Sequence, residues 1–558
     1  MSGTLSVGQR MNLFEPLPAR GTSRSFAAES PPVAQASQST SAWMFTAPIG
    51  SALLLALCFP PLEVSWLAWV ALAPMAAVLA RPRGTCELYL GAFLGGLSFH
   101  LLGLDWLRTS EGGLGIAGPH VAAWFWTGVF FAVAWLALVW LGRRFVAGSA
   151  WPMTLALPIV WVAWEYLRYH LWLLVSETRF PWLQLGTTQV AQLTGVQIAD
   201  LTGVWGIGAL VAMINGLVFD AWRACRSWRD GLSRHRLAVS AASSAVVLAA
   251  AGAYGTWRLG QSAGDLGPAI CLMPADSTPV GARPQTRPEQ SVAPWSPESP
   301  NSVLLLWSEG VIDLDSNEIV RRLERFANER GVTLAVGCRR VDAAAVNRPS
   351  FNSVAVFDAR SGYQGCYDKV CLVPRREFVP WFDRYVLRKP AGGFSPGTRY
   401  PTFTVPSSEG KSQCSFAATI CYDSCFAPLY RRFMQSRESH WPPDFFVVSS
   451  CESVDLTFSV QRSILAQARL RAIECRRAVV RNVDCGYSGI IDGCGRLVAA
   501  PPGVLLGEPT PLGPVPLDSR TSLYVYGGDW LPMAAVAVLV AVCFWPRGRK
   551  RDVGSMSI

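Results

Sequence analysis

The sequence predicts a multi-pass α-helical membrane bundle, of about eight spans, joined to an α/β sandwich domain. Three observations carry that prediction. From residue 44 to 257 the chain is a succession of apolar stretches near 20 residues long, enough to cross ~30 Å of hydrocarbon. From 268 to 525 the pattern changes to short β-branched runs alternating with polar helical segments and turns. Charged residues are only 16% of the 558, against roughly 25% in soluble domains, while 51% are hydrophobic. A chain of this length is expected to build more than one core.

The expected spans are 44–60, 62–80, 88–107, 119–141, 151–168, 194–219, 237–257 and 529–545. An even number of spans returns both termini to one face, and arginines say which. Arg81 and Arg83 follow the second span, Arg143 and Arg144 the fourth, and Arg223, Arg226, Arg229, Arg234 and Arg236 separate the sixth from the seventh. Arg547, Arg549, Lys550 and Arg551 follow the last. The positive-inside rule makes that face cytoplasmic and puts the segment before the final span outside. The net charge of +10 owes much to these loops, so it suggests basic loops beside a membrane rather than a nucleic acid partner.

The expected organisation is therefore a disordered cytoplasmic tail (1–43), seven spans (44–260), an exported catalytic domain (261–525), a last span (529–545) and a basic tail (546–558). The tail is rich in Ser, Ala and Pro without periodicity. It shows no h-region with a cleavage site, so the first span is expected to do the targeting. Eleven of the fifteen cysteines lie in the exported segment, where disulfides are permitted but their pairing is not readable. No paired CxxC and no HExxH pattern occurs, so neither a metal nor another cofactor is expected.

Along the exported segment, AICLMPA (269–275) reads as a strand and the Pro/Ser-rich stretch to Asn301 as a surface loop. SVLLLWSEG (302–310) is a buried strand that ends at Glu309. Asp315 or Ser316 caps a helix whose apolar face is Ile319, Leu323, Phe326 and Ala327, and Gly331 stops it. VTLAVG (332–337) completes a β-α-β unit, and 351–358 with 363–374 form a hairpin-like pair about Arg-Ser-Gly. SFAATICYD leads into a helix at 424–436; DFFVVSS is a strand, 459–475 a helix, and AVVRNV, YSGIID and GRLVAA are three more strands. Two sheets with helices outside satisfy that order.

Glu309, Lys369 and Cys421 stand at strand ends or just past them, each interrupting an apolar pattern. Strand ends are where a rigid scaffold presents chemistry. A carboxylate takes a thiol proton, a lysine holds a thiolate or an oxyanion, and a thiolate is the nucleophile. Singly, each has a bland reading: a core thiol, or a lysine paired with Asp368.

Glu…Lys…Cys in that order, carried by WSEG, YDKVCLVPRREFVP and ICYD, resembles the nitrilase superfamily. FPP (59–61), WLAWVALAPM (66–75), GAFLGGLSFHLLGLDWL (91–107), ALPIVWVAWEYLR (156–168), FPWLQLG (180–186) and QIADLTGVWGIGALVAMIN (197–215) resemble bacterial apolipoprotein N-acyltransferases. So does RAIECRRAVVRNVDCGYSGIIDGCGRL (471–497), and the likeness covers roughly 45–545. The resemblance implies eight spans, a nitrilase-like α-β-β-α sandwich in the periplasm, and an inner-membrane enzyme that moves an acyl chain from a phospholipid to the N-terminal amine of a diacylglyceryl-cysteine lipoprotein. It implies Cys421 as nucleophile, Glu309 as general base, Lys369 as oxyanion stabiliser with the Tyr422 backbone N–H beside it, and Glu377 orienting Lys369. The family's Trp-Pro-Glu is here Trp307-Ser308-Glu309, its acid after Cys-Tyr is Asp423, and its Phe-Gly is Arg375-Arg376. SSCESVDLTF (449–458) replaces its Asn-rich segment.

Other residues carry two readings each. Cys425 is expected to be structural. Glu165 is either functional or paired with Arg168, and Asp200 is a costly acid beside a span. Phe180 and Trp182 of the apolar external loop, with Trp307, are expected to line the acyl route. Two rivals stand beside acyl transfer. A membrane-tethered amidase would need no such bundle, and a silent lipid- or lipoprotein-binding relative would be free to lose Glu309, Lys369, Cys421 and Glu377.

Overall fold

The computed structural model describes residues 33–81, 84–108, 118–149, 151–226, 231–261, 264–274, 303–342, 345, 347–385, 388, 393–407, 413–436, 438, 442–452, 458–501, 503 and 508–544. The tail to residue 32, the Pro/Ser-rich loop at 275–302 and the basic tail from 545 lie outside them.

The apolar half folds into helices α1 (Val33–Ala56), α2 (Ala73–Leu79), α3 (Cys86–Gly103), α4 (Gly118–Ser149), α5 (Met153–Leu171), α6 (Val204–Arg226) and α7 (Gly231–Gly260). Within the described residues, Cys86–Gly103, Val121–Ser149, Val204–Arg226 and Gly231–Gly260 are long and apolar enough to cross a membrane. Small residues let these helices touch. A Cβ on Gly91 would meet the Phe45 carbonyl at 2.2 Å, and one on Gly216 the Met153 carbonyl at 2.3 Å. Close approach of backbones through such glycines is the usual way apolar helices associate without a hydrophobic driving force. Asp220 on α6 accepts from the backbone of Met153 (3.1 Å) and Thr154 (2.8 Å), so it caps α5 from a neighbouring helix.

Several boundaries differ from expectation. The first helix starts at Val33, eleven residues before the expected start of the first span at 44. The second expected span is broken into short pieces between Ser65 and Leu79. The sixth begins at Val204, because Gly203 with φ 65° interrupts the helical turns before it. Arg143 and Arg144 lie inside α4 rather than in a loop, Arg143 donating to the Val78 carbonyl.

The remaining half is an α-β-β-α sandwich. One sheet contains β1 (Leu266–Leu272), β2 (Val303–Leu306), β3 (Ile312–Leu314), β4 (Thr333–Val341), β5 (Ser350–Asp358) and β6 (Gly362–Asp368). The other contains β7 (Phe403–Pro406), β8 (Gln413–Ile420), β9 (Phe445–Ser450), β10 (Ala478–Val483), β11 (Gly489–Ile491) and β12 (Leu497–Ala499), in the reverse of that order across the sheet. A last strand, β13 (Thr510–Pro516), joins the first sheet antiparallel to β1. The sheets are pinned face to face: Asn482 on β10 donates to the Met273 carbonyl (3.0 Å), and Ser449 on β9 to that of Trp307 (3.0 Å). Helix α8 (Asn317–Arg330) covers the first sheet; Ser316 caps it through the Ile319 N–H, and Gly331 ends it at φ 65°. Helices α9 (Trp381–Tyr385), α10 (Ala427–Gln435), α11 (Phe458–Cys475) and α12 (Trp530–Phe544) follow in order, α10 and α11 packing beside the second sheet.

Strand β6 stops at Asp368 instead of running to 374, and β7 and β13 were not anticipated. No disulfide joins the fifteen cysteines, all of which lie among the described residues. The costly acid Asp200 joins sandwich to bundle. It accepts from Arg476 (2.7 Å) before β10 and from Tyr254 (2.8 Å) on α7, with Arg258 at 2.9 Å. Asp200 and Arg476 are fully buried, so each charge depends on the other.

Candidate active site

The site is assembled from strand ends of both sheets. Beyond β2 the chain turns at Ser308–Gly310, where Gly310 has φ 67°, and the turn aims Glu309 at the end of the neighbouring strands. Asn352 near the start of β5 and Lys369 just past β6 are adjacent through the sheet, the Lys369 N–H donating to the Asn352 carbonyl at 2.8 Å. Lys369 Nζ donates to Glu309 (3.1 Å) and Glu377 (2.9 Å) and is 1% exposed. Asn352 Nδ2 also bridges those acids, at 2.5 and 2.8 Å. The second oxygen of Glu309 accepts from the Cys451 backbone (2.9 Å), and that of Glu377 from Val373 (2.7 Å). Lysine and asparagine therefore share one pair of carboxylates.

Cys421 comes from the other sheet, at the end of β8. It sits in the left-handed region, φ 45°, where a residue with a Cβ is strained. What holds it there is Asp423, which accepts from the Ile420 N–H (3.1 Å), the Cys371 N–H (2.8 Å) and the Tyr367 hydroxyl (2.7 Å). Asp423 thus fixes the turn that presents the thiol. Burial pushes its carboxyl up to about 6, although Lys369 and those three donors oppose the shift.

Electrostatics separates the roles. Burial is the largest influence on Lys369 and works to discharge it, but Glu309 and Glu377 together hold it as an ammonium well above its ordinary range. Burial first, and then the Glu309 charge, push the Cys421 thiol well above its usual value, with Lys369 and the Ser450 hydroxyl opposing. The resting thiol is therefore protonated at neutral pH. Alkylation of Cys421 in the substrate-free protein is expected to be slow at pH 7 and to climb through pH 9 without levelling. A plateau below pH 8, read as modified mass against pH, would contradict this.

Of the other expected residues, Phe180 and Trp182 are buried and line the same cavity as Cys421. The Trp182 ring stacks on Tyr422 at 6.1 Å and meets Trp106 edge-on at 5.1 Å. Two charges on α5 hold that loop: Glu165 accepts from Leu185 N–H (2.7 Å), and Arg168 donates to the carbonyls of Trp182 (3.0 Å) and Leu183 (2.8 Å). Instead of pairing directly, Glu165 and Arg168 satisfy the backbone of one loop. Trp307 is not in the cavity. It is 1% exposed in the core with Leu305, Leu323 and Phe357, because the strand alternation that turns Leu305 toward α8 turns Trp307 there too. Cys425 is buried, its thiol pushed up to about 12 by burial, and its carbonyl accepts from Arg471.

Sequence reasoning missed Asn352, whose only signal is an amide inside the apolar run FNSVAVFD. It also missed Glu452, fully buried and paired with Arg481 at 2.7 Å, which Ser450 links toward Cys421. Burial pushes the Glu452 carboxyl up to about 7 against the Arg481 guanidinium.

A cavity of about 180 Å³ ends at this thiol. Its wall is shared. Ala123, Thr127, Trp172 and Val175 come from the apolar helices and the turn after α5, and Val373, Arg376, Val460 and Ile464 from the sandwich.

Apolar helices long enough to cross a membrane, fused to an α-β-β-α sandwich that brings Glu309 and Lys369 beside a buried thiol at a cavity, define a membrane-associated protein with an acid–lysine–thiol site. The more particular likeness comes from sequence. Residues 51–217 match the family model described as the apolipoprotein N-acyltransferase N-terminal domain. The chain is 29% identical over 523 residues to an apolipoprotein N-acyltransferase of Methylococcus capsulatus, covering 89% of this chain and 95% of that one. With one of Geobacter metallireducens it shares 28% over 519 residues, 88% and 94% of the two chains. A solved member of branch 10 of the nitrilase superfamily from Saccharomyces cerevisiae aligns over 49% of this chain and 98% of its own, at 17% identity and a TM-score of 0.34. The chain is thus similar to apolipoprotein N-acyltransferases over nearly its whole length.

Proposed function

We infer that the protein is an apolipoprotein N-acyltransferase, and that it takes its acyl chain from a phospholipid through a thioester on Cys421. The observation that carries the reading is the shared cavity: Cys421 lines a space walled by apolar helices on one side and by Val373, Arg376, Val460 and Ile464 of the sandwich on the other, with the Glu309 and Lys369 charges acting on its thiol. A small soluble amide would need no wall of membrane helices, which weighs against the amidase reading.

In the first step Glu309 takes the thiol proton as Sγ attacks the ester carbonyl. Lys369 Nζ, with the Tyr422 N–H, holds the oxyanion, and Glu377 and Asn352 keep the ammonium in place. Collapse breaks the C–O bond, and Glu309 returns the proton to the leaving lysophospholipid. The lipoprotein's neutral N-terminal amine then attacks the thioester. Glu309 receives its proton and restores the thiol as the C–S bond breaks. Each half-reaction leaves proton and charge balanced. The eight-span topology with the sandwich in the periplasm of an inner membrane belongs to the same reading, supported by Arg223 and Arg226 in the last turn of α6 and Arg234 and Arg236 near the start of α7.

Intact-mass measurement of the detergent-purified protein after incubation with phospholipid, beside Cys421→Ala, tests it. The expected result is a hydroxylamine-labile gain of one acyl chain, absent in the variant. No adduct on the folded protein would sink the thioester. Trp182→Ala is expected to slow that acylation about ten- to a hundredfold, by loosening Tyr422 beside the nucleophile, while the protein stays folded. Normal acylation would remove Trp182 from the route.

A further inference from the structure

We propose that a second cavity, on the far side of the Trp106–Trp182 pair from Cys421, takes the polypeptide that follows the acceptor's N-terminal cysteine. The inference rests on the acyl-transfer reading and gives the lipid and peptide parts of that substrate separate places.

Helix α11 divides the two spaces. Val460 and Ile464, one turn apart, line the Cys421 cavity, while Ser463, Ala466 and Gln467 line a cavity of about 360 Å³. Trp106 and Trp182 belong to both walls, with their rings edge-on at 5.1 Å. The divider is held from both sides. Arg168 on α5 donates to the Trp182 carbonyl at 3.0 Å, and Gln467 Nε2 on α11 donates to the Pro181 carbonyl at 3.0 Å.

The second cavity is the more polar in its side chains. Thr187, Ser463, Arg469 and Tyr487 line it, and Arg462 meets Glu63 at 2.8 Å on its exposed rim. Gln467 is 3% exposed, and its Oε1 is buried with no hydrogen-bond partner among the described residues. A buried amide oxygen without a donor is costly, so a ligand that belongs in this cavity brings an N–H to it.

Acyl chains carry no such donor, whereas a polypeptide carries one at nearly every residue. Nor can a polypeptide follow its lipid anchor into an apolar space without leaving N–H and C=O groups unmet. The acceptor's α-amine has to reach the Cys421 thioester while the residues after it stay hydrogen-bonded. A polar cavity that shares Trp182 with the thiol's own cavity meets both demands.

The full-length protein in detergent is loaded at Cys421 from phospholipid, freed of lipid, and offered equal amounts of two acceptors. One is diacylglyceryl-cysteine amide, and the other carries a short peptide after the same cysteine. Product masses give the ratio of transfer. Wild type is expected to favour the peptide about three- to tenfold, the worth of roughly one hydrogen bond. Ala466→Trp and, separately, Ser463→Phe fill the cavity from α11, and each is expected to bring the ratio near one. A wild-type ratio near one overturns the peptide site and leaves acyl transfer standing. A preference that survives both substitutions in folded protein overturns the assignment to this cavity. Slower loading of Cys421 in both folded variants gives the cavity to the phospholipid and overturns the proposal. No thioester on the wild type overturns the acyl-transfer reading and this inference with it.

Discussion

Glu309→Gln is expected to lower the rate of thioester formation about a hundred- to ten-thousandfold, the range a positioned general base supplies. The thiol it serves is pushed up by burial and by the Glu309 charge itself, so almost no thiolate exists at neutral pH without a base that accepts the proton during attack. The substitution also disturbs the hydrogen bonds. Glu309 receives three donors, from Asn352, Lys369 and the Cys451 backbone, and an amide offers one acceptor where the carboxylate offers two. Part of the loss therefore comes from a shifted Lys369. Rates of adduct formation by intact mass, with the melting temperature as a control for folding, decide the matter. A loss smaller than about tenfold in a folded variant would exclude Glu309 as the base.

Asp200→Ala is expected to be the most destabilising single change at the junction, costing about 3–5 kcal/mol. Arg476 is 0% exposed, and removing its carboxylate leaves a buried cation held by Gln197, backbone carbonyls and the Cys494 sulfur, none of them charged partners. Arg258 and Tyr254 on α7 lose the same anchor. Asp200→Asn, which keeps an acceptor, should cost less. Thermal unfolding in detergent, followed by loss of Trp fluorescence change or by aggregation, gives the ranking. Equal stability of the alanine variant and wild type would show that sandwich and bundle do not depend on this ion pair.

These expected effects divide the molecule into what local sequence reveals and what it hides. Strand and helix identities in the sandwich were legible because period and punctuation agree: Ser316 and Gly331 frame α8, and DFFVVSS and AVVRNV are β-branched and apolar throughout. Glu309, Lys369 and Cys421 were legible because each breaks such a run at its end. Asn352 was not, since a lone amide inside a strand has the same local pattern whether it faces solvent or two carboxylates. Trp307 was misassigned because proximity to Glu309 in sequence says nothing about side. The turn at Ser308–Gly310 separates a core tryptophan from a site acid two residues later. Span boundaries erred where Gly203 and the pieces between Ser65 and Leu79 interrupt apolar runs that hydropathy alone reads as continuous.

The sequence by itself determined the division into apolar helices and a mixed sandwich, and the order in which acid, lysine and thiol reach their strand ends. Hydrophobic period and breakers are local quantities, and they are enough for that. Only the tertiary structure decided which distant groups share a charge: Glu377 and Asn352 with Lys369, Asp423 with the Cys421 turn, and Asp200 with Arg476. Buried charge is costly unless it is met, and the partner that meets it is chosen by packing in space rather than by spacing along the chain.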